Sequence, residues 1–159
     1  MTDKSMTIIA TKGTLDWAYP PFILSSTAAA LGYNVTMFFT FYGLQLLKKD
    51  LSLSVSPLGN PGMPMPMSMD KWFPVIGTAI PGMQAMMTGM MKNTIKSKGV
   101  ASVAELRNLC IEADVKMIGC QMTIDLFDLN PKDLIDEIDL GGAATYLDHA
   151  GGSDINLFI

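Results

Sequence analysis

The chain is short of the residues that most often carry chemistry. It holds two cysteines and one histidine among 159 residues. Two cysteines cannot build a disulfide framework, and a structural zinc site needs four Cys or His ligands. Joining His149 to Cys110 and Cys120 still leaves such a site incomplete, so no metal and no other cofactor are expected. The lone histidine falls where a helix should end and is read as a charge for that helix dipole. No C-x-x-C of thioredoxin type occurs, and the first loop, Thr11-Lys12-Gly13, carries no G-x-G-x-x-G. Charge is sparse as well. Charged residues make up 16% of the chain and the formal charge is −4, which argues against nucleic acid as a partner. Lys92, Lys96 and Lys98 form the one basic cluster, and they stand where a helix should stop, complementing its dipole. The opening residues lack a basic segment followed by an apolar run, so no signal peptide is expected. Two free thiols suit a reducing cytoplasm.

What is present is an alternation of strands and helices in a chain of single-domain size. Met6–Thr11 reads as a short buried strand. Thr14 caps a helix with Asp16 in its first turn, and Pro20-Pro21 is expected to delay or kink it. Gly32 ends it. Val35–Thr40 reads as a second strand, Tyr42–Lys48 as a short helix and Leu51–Val55 as a third strand. Ser102 and Glu105 form a capping box. Behind it Val103, Leu106, Leu109, Cys110 and Ala113 make the apolar face of a helix, with Glu105, Arg107, Asn108 and Glu112 on the polar face. Val115–Gly119 is a strand and 121–128 a short helix or turn. Pro131–Ile138, capped by Asn130, reads as a helix. Gly141-Gly142 opens another, and Ile155–Ile159 closes the sheet. The expected fold is therefore α/β, with three layers and a mostly parallel sheet of five strands. The absence of charge from Trp17 to Leu47 would suit a membrane span by length. The prolines, the Gly32-Tyr33-Asn34 turn and the β-branched and aromatic Val35–Phe41 favour helix, turn and buried strand instead.

Methionine is the compositional oddity. Nine of fourteen fall between Met63 and Met91. Residues 56–70 (SPLGNPGMPMPMSMD) form a Pro/Met-rich loop. Beyond it Met83, Met86, Met87, Met90, Met91 and Ile95 recur with helical spacing on one face. Together they make an inserted segment at about 56–99. Its methionines, Met65 and Met67 among them, suit an adaptable core and oligomer contact, or an apolar wall around a reactive site facing a protein or a membrane surface. Thioether coordination of Cu(I) is a third reading of M-P-M-P-M-S-M.

Cys120 falls at the carboxyl end of a strand, where open α/β sheets place their sites. A helix starting there would turn the amides of Gln121 and Met122 toward the sulfur and favour a thiolate. Lys12 and Gly13 close the first strand, and Lys12 would add positive charge. Cys110 lies on a buried stripe and reads as a structural or assisting thiol. A disulfide between the two needs Cα atoms within about 7 Å, which the spacing C-x9-C leaves open. Three functional readings follow: an accessible reactive thiol at Cys120, a thiol-disulfide or peroxide-reducing pair, and a non-catalytic Met-rich binding module.

TKGTLDWA after the first strand, the NPGMPMPMSMD loop, and C-x9-C ending in KMIGCQMTIDLF together resemble the DsrE/DsrF-like sulfurtransferases. The similarity is to their longer branch, sometimes labelled peroxiredoxin-like, and covers nearly the whole chain. It implies a flavodoxin-like subunit in a homo-oligomer, a trimer or hexamer. It also implies that Cys120 carries sulfur as a persulfide and exchanges it with TusA-type sulfur-carrier proteins or rhodaneses. Membrane association of some branch members is a further implication.

Overall fold

The computed structural model describes residues 4–57 and 80–159. They divide into two compact units. The larger comprises Met1–Gly13, Trp17–Leu51 and Val103–Ile159; the smaller comprises Thr14–Asp16 and Ser52–Ser102.

The larger unit holds the sheet. Its strands are β1 (Ser5–Ala10), β2 (Asn34–Phe39), β3 (Lys116–Cys120), β4 (Asp139–Gly141) and β5 (Ile155–Phe158). All pairings are parallel, in the order β4-β3-β2-β1-β5. The α/β class and five-stranded sheet are as expected. The order is not flavodoxin's 2-1-3-4-5, because the chain steps outward from β1 to β4 before crossing to the far side of β1. Helix α1 (Leu15–Ala30) stays helical through Pro20 and Pro21. It stops before Gly32, whose φ of 82° is the left-handed geometry of a helix end.

Alternation along the strands sends successive side chains to opposite faces. Phe39 meets Phe22 of α1 on one face, with ring centroids 5.9 Å apart. Phe38 stacks on Tyr146 of α5 (Ala143–Ala150) on the other, at 5.3 Å. Ile118 and Cys120 join that second cluster. Helix α3 (Val103–Glu112) belongs to the α1 side: the Cys110 thiol lies 3.7 Å from the Phe22 carbonyl, which accepts its hydrogen.

Four local expectations are corrected. Leu51–Val55 is not a strand. In the smaller unit the Ser54 carbonyl accepts from the Leu15 amide, while the side chains of Thr88 and Gln84 bond Val55 N–H and C=O. With those groups taken, no ladder forms. The fifth strand is instead β4, where a helix boundary was expected. Pro131–Ile138 forms only a 3-10 turn, Pro131–Asp133. Its continuation pairs with the end of another 3-10 segment, Phe41–Leu47: Ile135 N–H donates to Leu47 C=O at 2.9 Å, and Lys48 bridges Leu134. Arg107 is not on a polar face. It is 6% exposed and donates to the carbonyls of Leu46 and Lys48 at 3.0 and 2.7 Å, capping that same segment. Leu109, expected inside, is 48% exposed.

In the smaller unit, α2 (Met83–Ser97) has the expected length and ends before Gly99, at φ 68°. Its buried residue is Thr88. Met86 is 48% exposed and the remaining stripe positions are half-buried. Among the described residues no helix is long and apolar enough to cross a membrane.

Candidate functional site

Cys120 ends β3 and is the residue from which α4 (Gln121–Leu126) starts. A strand that runs straight into a helix turns the helix's first amides back over the junction. The Cys120 side chain follows Ile118 onto the α5 face. It is only 3% exposed, so the expectation of an accessible sulfur is corrected. The physical reason is its direction: it points into the layer between sheet and α5, beside Phe38 and Tyr146, rather than over the sheet's rim.

Burial without partners would hold this thiol protonated. Here burial pushes its pKa up, but hydrogen-bond donors outweigh that and bring it below the ordinary thiol value. They are the hydroxyl and amide of Thr123, the hydroxyl of Thr40 and the amide of Met122. The sulfur makes no tight capping bond to the helix, so the donors act mainly by facing any negative charge on it. Thr123 is fully buried. Its hydroxyl oxygen lies 3.2 Å from that of Thr40 and accepts from the Phe41 amide at 3.2 Å.

The wall beside α4 comes from the 3-10 segment after β2. Phe41 there has a left-handed backbone, φ 48°, costly for a residue with a Cβ. Phe127 at the end of α4 stacks on Tyr42 at 5.7 Å and meets Phe41 edge-on at 6.4 Å. Gly13 lies under this segment: a Cβ there would stand 2.2 Å from the Tyr42 carbonyl oxygen. Gly43 packs likewise on β1, where a Cβ would meet the Ala10 carbonyl oxygen at 2.1 Å. The two glycines let β1's end and the 3-10 segment touch backbone to backbone.

Other candidates are placed differently. Lys12 does not add charge at the sulfur; its ammonium sits 3.5 Å from the ring centroid of Trp17, and the groups favouring the thiolate are neutral. Gln121 turns outward and donates to the Asp125 carboxylate at 2.8 Å. Met122 contributes its amide while its side chain is exposed. Met65 and Met67 lie outside the described residues. Cys110 is fully buried on the opposite sheet face, where loss of water pushes its pKa up to about 12. Both thiols are free. Among the described residues no group of three or more His, Cys, Asp or Glu side chains is placed to hold a metal. Thr40, Thr123 and Phe41 were not among the sequence candidates. Only the i+3 spacing of Thr123 from Cys120, an N3 position facing its cap, hinted at one of them.

Comparison with known proteins agrees with this frame. The model of the DsrE/DsrF/DrsH-like family matches residues 2–158. Sulfur carrier protein DsrE2 of Allochromatium vinosum is 69% identical over 159 residues, all of both chains. The YrkE protein of Bacillus subtilis is 35% identical, covering 98% of this chain and 97% of its own. Among solved structures, the ychN protein of E. coli superposes with a TM-score of 0.61 at 9% identity, over 98% of this chain and 99% of that one. The fold is thus shared well beyond recognisable sequence, and the family model runs almost end to end: this chain belongs to the DsrE/DsrF/DrsH-like family.

Proposed function

We propose that the chain is a sulfur carrier that holds sulfane sulfur as a persulfide on Cys120 and passes it on, acting as a sulfurtransferase. One observation carries the reading. Of two buried thiols, Cys120 is the one ringed by donors that favour the anion, and the thiolate is the form that attacks sulfur. The name of the Allochromatium vinosum relative, sulfur carrier protein, supports it.

The transfer needs no cofactor. The sulfur is covered in the resting chain, so transfer requires a local opening beside α5; once uncovered, the Cys120 thiolate attacks the outer sulfur of a donor persulfide, R–S–SH. A new S–S bond forms to Cys120, the donor's S–S bond breaks, and the donor leaves as a thiolate that takes up a proton. In the second half an acceptor thiolate attacks the outer sulfur on Cys120, and Cys120 leaves as a thiolate. The donors around it stabilise both the attacking and the leaving anion. Suitable partners are proteins presenting a cysteine persulfide or thiol, such as TusA-type carriers or rhodaneses, with the chain working as a trimer or hexamer in a reducing cytoplasm, with or without membrane contact. Cys110 has a structural role, since among the described residues it bonds a carbonyl acceptor and is buried.

Incubation with a persulfide donor followed by intact-mass measurement tests this. Wild type and Cys110→Ser should gain 32 daltons, and Cys120→Ser should not. Normal loading of Cys120→Ser sinks the assignment.

A further inference from the structure

The hydroxyls of Thr123 and Thr40 and the amides of Thr123 and Met122 face Cys120, and a further amide, that of Phe41, holds the Thr123 hydroxyl. An amide N–H can only donate, so the Phe41 N–H occupies a lone pair of Thr123 Oγ1 whatever else happens. Thr123 has one hydroxyl hydrogen left to place, and so does Thr40. Their oxygens are 3.2 Å apart, so one donates to the other. Thr123 is fully buried and has no water to turn to, whereas Thr40 is half-buried.

We propose that Thr123 and Thr40 are positioning residues for Cys120: two hydroxyls that bond each other while the sulfur is protonated and turn to it once it is anionic. The Phe41 amide makes this exchange possible. A buried hydroxyl oxygen that lost its only donor on rotating would be left unsatisfied. Thr123 Oγ1 is not, because the amide stays on it in both states. The left-handed backbone of Phe41 keeps its N–H on that oxygen, and Phe127 clasps the same turn from α4. Cys110 shows what the absence of such a device means: among the described residues its hydrogen-bond partner is the Phe22 carbonyl, an acceptor that serves the thiol and repels the thiolate. In sulfur transfer, which rests on the reading above, the pair would serve the attacking and the leaving sulfur alike.

The test reads the thiols directly and does not require sulfur transfer. Full-length wild type, Thr123→Val, Thr123→Ser, Thr40→Val and Phe41→Asn are alkylated with iodoacetamide from pH 5 to 10, and each cysteine is followed by peptide mass spectrometry. Thr123→Val should raise the pH midpoint of Cys120 by about one unit, as expected for losing a donor to a charged form. Thr40→Val should raise it by less. Thr123→Ser should restore the wild-type midpoint. Phe41→Asn keeps the amide and tolerates the left-handed turn, so it should leave the midpoint in place. Continued protection of Cys110 in each variant shows that the fold is intact. An unmoved midpoint in Thr123→Val, or a serine variant that behaves like valine, overturns the proposal. A midpoint that moves in Phe41→Asn as far as in Thr123→Val overturns the role given to the amide. Shifted midpoints in a chain that never loads sulfur would keep the hydroxyl assignment and sink the carrier reading; normal loading with unmoved midpoints would do the reverse.

Discussion

Cys110 and Cys120 sit ten positions apart, on opposite faces of one sheet, and both are buried. Their chemistry diverges all the same. Cys110 donates into a carbonyl between α1 and α3, and its pKa climbs to about 12. Cys120 is surrounded by hydroxyls and amides, and its pKa falls. Burial alone therefore does not decide whether a thiol is inert. What decides is whether the groups around the sulfur donate or accept hydrogen bonds.

The largest effect expected from this contrast is kinetic. At pH 8 Cys120, its pKa lowered, should be ionised far more than Cys110, whose pKa is pushed up to about 12. Iodoacetamide should then label Cys120 in the native chain and reach Cys110 only after unfolding. Equal labelling of both would erase the distinction.

The same contrast has a thermodynamic face. A thiol whose folded pKa is raised stabilises the fold below the ordinary thiol pKa and ceases to as pH rises. Cys110 should thus cost the fold up to about 4 kcal/mol between roughly pH 9 and pH 12. Urea midpoints measured across that window should fall steeply in wild type and much less in Cys110→Ala. Cys120 carries the opposite sign. Its contribution is present above the ordinary thiol pKa and is lost as pH falls through its own lowered value.

Two structural variants separate the faces further. Arg107→Leu strips the carbonyls of Leu46 and Lys48 of a buried donor and should cost roughly 2–4 kcal/mol in urea unfolding. It should also expose Cys110 to alkylation before Cys120 changes. Gly13→Ala drives a Cβ into the Tyr42 carbonyl and should cost about 1–3 kcal/mol. Because Tyr42 follows Phe41, that variant should move the Cys120 midpoint and leave Cys110 protected. Smallest is Phe127→Ala, which removes the ring contacts to Phe41 and Tyr42 for about 1 kcal/mol.

Much of the fold was legible in residue patterns. The apolar runs of β1, β2 and β3 and the left-handed glycines at 32 and 99 gave the elements nearly to the residue. Cys120 at a strand's carboxyl end before a helix was also readable. Misreadings arose where distant groups claim the backbone. Leu51–Val55 has strand composition, yet Thr88 and Gln84 take its polar groups. Arg107 has a surface residue's charge, yet it serves carbonyls some sixty positions earlier.

The sequence alone settles where β1, β2, β3, α1, α2 and α3 fall and which residue stands at the end of β3, because those depend on periodicity and on neighbours within a turn. It does not settle that the thiol there is covered, nor that the hydroxyls of Thr40 and Thr123 face it. Thr40 and Thr123 are 83 positions apart and meet only because β2 and β3 are paired side by side. The character of the sulfur is a property of that meeting.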